Sequence, residues 1–90
     1  MIERQLRQTG AKLRRTRDEL AMIDAQLPYL TEEADDLETR SIVSDGSGPA
    51  REFREAQAHS TALAAQRKRV AASIVELEQR QDSLLDRLVN

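Results

Sequence analysis

An apolar heptad runs from residue 2 to residue 88 with a single interruption, and few folds can accommodate it. Leu6, Leu13, Leu20, Leu27 and Ala34 recur every seven residues, and Ile2, Ile23, Leu30 and Leu37 lie on the complementary row. After Ser44-Asp45-Gly46-Ser47-Gly48-Pro49 the pattern resumes, with Phe53, Ile74 and Leu88 on one row. Ala56, Leu63, Val70, Leu77 and Leu84 form the other. Such a 3–4 spacing makes a narrow stripe that must be buried against another helix. The expected fold is all-α, an antiparallel two-helix coiled-coil hairpin that can dimerise into a four-helix bundle. One hairpin spans residues 1–90, with helix 1 at about 2–43, a turn at about 44–48 and helix 2 at about 49–88.

Register follows if the turn centres on Asp45, so that residue numbers of facing positions add to about 90. Leu37 then faces Phe53, Ala34 faces Ala56, Leu27 faces Leu63 and Leu20 faces Val70. Farther from the turn, Leu13 faces Leu77, Leu6 faces Leu84 and Ile2 faces Leu88. Even two polar intruders, Thr9 and Gln81, fall opposite one another. A register that matches polar as well as apolar layers is stronger evidence than periodicity alone.

Charge agrees with this pairing. Residues 1–17 carry a net +5 and residues 18–38 a net −8, while residues 51–69 carry +3 and residues 70–90 carry −2. Folding back sets each block beside one of opposite sign, whereas a parallel dimer would stack like on like. Asp45-Gly46 should stop helix 1, because Gly tolerates the left-handed conformation that ends helices. Ser47 or Gly48 can cap helix 2, with Pro49 at or near its first position. Pro28 is the irregularity, since its ring clashes with the carbonyl of Asp24 and it has no amide proton. The heptad nevertheless keeps phase from Leu27 to Leu30 to Ala34. A kinked continuous helix is favoured, and the alternative restarts the helix with Thr31 as cap.

The composition excludes several classes of function. With one Phe, one Tyr and no Trp, the 90 residues have few bulky groups for a globular core. A third of them are charged, which suits long solvated helices. Absence of cysteine removes disulfides and thiolate metal sites. No run of about 20 apolar residues is present to span a membrane, and the N-terminus lacks a signal-peptide core. A cytoplasmic location is expected. At a net charge of −2, general nucleic-acid binding is not favoured.

Chemistry finds little support. Glu32, Glu33, Asp35, Asp36 and Glu38 lie near the hairpin tip, where carboxylates suit Mg²⁺ or Ca²⁺, but a solvated face opposite Arg51 and Arg54 explains them better. The tip has too few carboxylates for an EF-hand and lacks the lysine of a phosphate-binding loop. His59 has no paired nucleophile, and a two-helix hairpin offers no water-excluding pocket. No catalytic residue, cofactor or metal is expected. The basic runs at 12–17 and 67–69 carry no interleaved aromatics to stack bases, and charge pairing accounts for them.

Helix 2 carries a second, weaker apolar stripe beside the seam: Ala64, Ala71, Val75, Leu85 and Val89. The matching flanks of helix 1 are charged, so docking is expected on helix 2, with Arg67 in the seam needing to snorkel or to meet a partner carboxylate. Simple helix propensity explains the alanines as well as docking does. The candidate interface is therefore Ala64, Arg67, Ala71, Val75, Leu85 and Val89, with candidate tip contacts at Glu32, Glu33, Asp35, Asp36 and Asp45.

Ile42-Val43-Ser44 through Arg54-Glu55-Ala56-Gln57, then Glu76-Leu77-Glu78-Gln79-Arg80-Gln81-Asp82 and Leu84-Leu85-Asp86-Arg87-Leu88, resemble a group of small coiled-coil proteins of actinobacteria. The resemblance implies an actinobacterial source, in keeping with the twelve Arg against two Lys, but no particular activity. Those proteins lack a proline at the place of Pro28. Thr9-Gly10-Ala11-Lys12-Leu13 and Arg54-Glu55-Ala56-Gln57 are similar to the N-terminal coiled-coil hairpin of Gre-type transcript cleavage factors. That likeness implies a hairpin entering the secondary channel of RNA polymerase, with paired tip acids holding Mg²⁺. Here the tip offers only Asp45, so cleavage does not carry over. The expected function is a non-catalytic interaction module that forms homo-oligomers or docks on a larger assembly. The alternative is a transcription regulator that binds RNA polymerase through the tip.

Overall fold

The computed structural model describes every residue except Asp45, and of Ser47 the backbone alone. Two helices make up the fold, α1 over Ile2–Val43 and α2 over Ser47–Val89, and no strand occurs among the described residues. The all-α hairpin expected from the heptad is the observed architecture. It divides into two compact units, each drawing one segment from each helix.

The first unit joins Met1–Ala21 to Lys68–Asn90. Its core is Leu13, Val70, Leu77 and Leu84, all buried, with Leu6, Leu20 and Ile74 half-buried beside them. Burying a leucine stabilises a fold by about 1.5–3 kcal/mol. Thr9 is buried in the same seam and Gln81 is half-buried, as the polar layer requires. Thr16, another seam position, turns its hydroxyl back to donate to the Lys12 carbonyl at 2.7 Å, so the group stays satisfied without a partner across the seam. Arg17 reaches Glu78 at 3.2 Å, joining the basic start of α1 to the acidic end of α2. At the end of the unit the seam opens. Leu88, the residue expected to face Ile2, is 45% exposed.

The second unit is Met22–Arg67. Ile23, Ala34 and Leu37 are buried, while Leu27, Leu30, Phe53, Ala56 and Leu63 are half-buried. Two cross-helix contacts fix the register: Arg67 with Asp24, and the Thr31 and Ser60 hydroxyls at 3.4 Å. Each lies one position from the expected facings of 67 with 23 and 60 with 30. The helices are therefore antiparallel here, as the charge blocks required.

Pro28 lies inside α1, which continues through it. Thr31 does not cap a new helix. Its hydroxyl donates to the Leu27 carbonyl at 3.0 Å, a bond within the helix. At the other end of the unit, no glycine among the described residues adopts a positive φ. The expected left-handed stop at Gly46 is thus not found, and the Gly46 amide donates instead to Ser44 Oγ at 3.2 Å. The centre of the turn at Asp45 and the capping side chain of Ser47 lie outside the described residues. Because α2 begins at Ser47, Pro49 is the third residue of the helix, near its first position as expected. Its missing amide costs nothing there, since the first-turn amides have no intrahelical acceptor.

Candidate interaction surfaces

The α2 stripe falls into two parts. In the first unit Ala71 is half-buried, and Val75, Leu85 and Val89 are 51%, 44% and 79% exposed. These three large apolar side chains stand on the solvent side of α2, outside a seam that is already filled. Leu88, exposed at the end of the seam, adds to the apolar surface of this unit. In the second unit Ala64 and Arg67 are both half-buried. Ala64 lies beside the seam, and Arg67 is committed within the chain.

The carboxylate that meets Arg67 is Asp24. The guanidinium makes a two-pronged contact, Nε donating to Oδ1 and Nη2 donating to Oδ2 at 3.3 Å. Arg67 occupies a seam row where an aliphatic residue is the norm, and a side chain this long can keep its stem against apolar neighbours with its head in water. Asp24 sits one position beyond Ile23, on the flank that the head reaches. The hydrogen bond from Arg67 holds the Asp24 carboxyl below its ordinary range, against a smaller opposing effect of burial and with added attraction from the Arg67 charge. The same bond raises the Arg67 pKa. Both side chains remain nearly half exposed, so water screens the pair.

The acidic run does not converge. Glu32, Glu33, Asp35 and Asp36 are all exposed along α1, and Asp36 pairs with Arg40 one turn away at 3.1 Å. No group of three or more acidic or histidine side chains could hold a metal among the described residues. An open depression over this part of α1 is lined by Tyr29, Glu32, Glu33, Asp35, Asp36 and Thr39. Asp45, the remaining tip contact, lies outside the described residues. His59 is exposed and shares an open groove with Glu33, Glu52 and Glu55.

Four exposed apolar residues of the second unit escaped the sequence reading: Met22, Tyr29, Ile42 and Val43. Met22, Tyr29 and Val43 share one heptad row opposite the seam, at spacings of seven and fourteen. The signal was present in the spacing, but charged neighbours on the same face masked it. Among the described residues no helix is long and apolar enough to cross a membrane. No family model matches this chain, and neither a curated protein nor a solved structure matches it.

Proposed function

We propose that this chain is a non-catalytic protein–protein interaction module of the cytoplasm, acting by self-association or by docking on a larger assembly. The observation that carries this reading is the exposed row of Val75, Leu85 and Val89 on an α2 whose seam face is already covered. Apolar surface of this kind gains about 25 cal/mol per Å² when a partner removes it from water. The remaining surface is a mixture of both charge signs, which favours specificity of docking over general adhesion.

The reading is tested by capture with a tagged chain and its Val75→Asp/Leu85→Asp variant, each crosslinked in a lysate of the source organism. Both substitutions lie on exposed positions, so circular dichroism should show unchanged helicity while capture is lost. Equal capture by the variant and the unaltered chain would overturn the proposal. A second reading, a regulator docking on RNA polymerase through the tip, is favoured by the exposure of Glu32, Glu33, Asp35 and Asp36. It requires crosslinks from the tip to the polymerase and loss of capture when these four acids become their amides.

A further inference from the structure

Resting on the interaction-module reading, we infer that the occupant of the outer α2 face in the first unit is a second copy of this chain, its α2 crossing antiparallel at Val75 with Lys68 of each copy against Asp82 of the other. Lys68, Val75 and Asp82 are spaced by sevens, so they form one row along the outside of α2. Lys68 and Asp82 are each about 10.5 Å from Val75 along the helix axis, in opposite directions. A two-fold axis through Val75 therefore brings Lys68 to Asp82 twice, once on each side.

The side-chain sizes obey the same symmetry. One turn from Val75, Ala71 and Ala72 lie on one side, with Glu78 and Gln79 on the other. The two-fold sets the small pair of one copy against the long pair of the other, which lets the backbones approach while the gap is filled. Glu78 is already held by Arg17 of its own chain. Lys68 and Asp82 are exposed and have no ion-pair partner among the described residues. Two alternative arrangements fail on charge. A parallel crossing stacks Lys68 on Lys68, and an antiparallel crossing centred one heptad later stacks Asp82 on Asp82. A patch that complements itself in both charge and size fits an isologous contact better than an unrelated partner.

The absence of native cysteine makes the test direct. In the full chain, Val75→Cys places two thiols at the symmetry axis, where facing Cα atoms of closely packed helices come within the disulfide range of about 4.4–6.8 Å. Ser83→Cys is the control, because two such residues would stand about 24 Å apart in this arrangement. Under mild oxidation the first variant should form a disulfide-linked dimer and the second should not. In sedimentation equilibrium, Lys68→Glu or Asp82→Lys alone should weaken association by about fivefold, and the two together should restore it to within about twofold. A monomer at all concentrations up to about 0.5 mM would overturn the inference, as would equal crosslinking of both cysteine variants or failure of the double charge reversal to restore association. If the chain is monomeric yet Val75→Asp/Leu85→Asp still abolishes capture of another protein, the second copy is refuted and the interaction-module reading stands.

Discussion

The two units are built from the same heptad yet bury different side chains in it. The first has a run of buried leucine and valine, Leu13, Val70, Leu77 and Leu84, and one buried polar residue, Thr9. The second buries Ile23, Ala34 and Leu37, has the small Ala34 and Ala56 and the polar Ser60 and Arg67 in its seam, and contains Pro28 as well. Polar contacts, Arg67 with Asp24 and Thr31 with Ser60, join its helices beside that apolar seam, as Arg17 with Glu78 does in the first unit. Apolar burial is strong and indifferent to salt, whereas half-exposed hydrogen bonds and ion pairs contribute little each. A continuous heptad therefore does not confer uniform stability. The second unit should open more readily than the first, as local openings are easiest where buried apolar contacts are fewest.

The largest expected effect is at the seam itself. Val70→Asp puts an unpaired charge into the buried layer of the first unit and should cost several kcal/mol, enough to remove most helical circular dichroism at 25 °C. Leu63→Asp, at a half-buried position of the second unit, should also unfold the hairpin but with a smaller loss. If Leu63→Asp proves the more damaging, the ranking of the two units is reversed. If either variant stays as heat-stable as the unaltered chain, the seam is misassigned.

A change of intermediate size would sharpen the contrast. Pro28→Ala returns an amide proton to the interior of α1 and removes the clash with the carbonyl of residue 24. It should stabilise the second unit by up to about 3 kcal/mol. Native-state hydrogen exchange should then show residues 22–67 slowing toward the rates of the first unit, with little change in the latter. Unaltered exchange in residues 22–67 would mean that the proline is not what weakens this unit.

The smallest effect is the pH response of the Asp24–Arg67 pair. The folded-state pKa of Asp24 is lowered, so its contribution to stability is complete above the ordinary carboxylate range. That contribution fades as pH falls through the lowered value and the carboxylate takes up a proton. Thermal melts between pH 7 and pH 2 should therefore show a shallower acid loss for Asp24→Asn than for the unaltered chain. Identical acid profiles would remove this pair from the forces holding the second unit.

Much of the fold was legible in the sequence, and particular residues show where legibility ended. The two-helix hairpin followed from spacing alone, and Leu13, Leu77 and Thr9 are buried as seam positions should be. The exposure of Leu88 did not follow, since a heptad position says which way a side chain points and not how much of it a neighbour covers. The stripe at Val75, Leu85 and Val89 was visible, but its split from the half-buried Ala64 and Ala71 depended on local cover. Met22 and Tyr29 were missed because charges share their face.

Periodicity, charge blocks and one Gly-rich break were enough to give the two helices and, in the second unit, an antiparallel register within one position. Only the tertiary structure decided that α1 runs unbroken through Pro28, that α2 starts at Ser47, and that Arg67 is met by Asp24 of the same chain. Each of those outcomes depends on a competition between a local preference and the packing of a neighbouring helix. Such a competition is settled by distances across the seam, which a linear sequence does not contain.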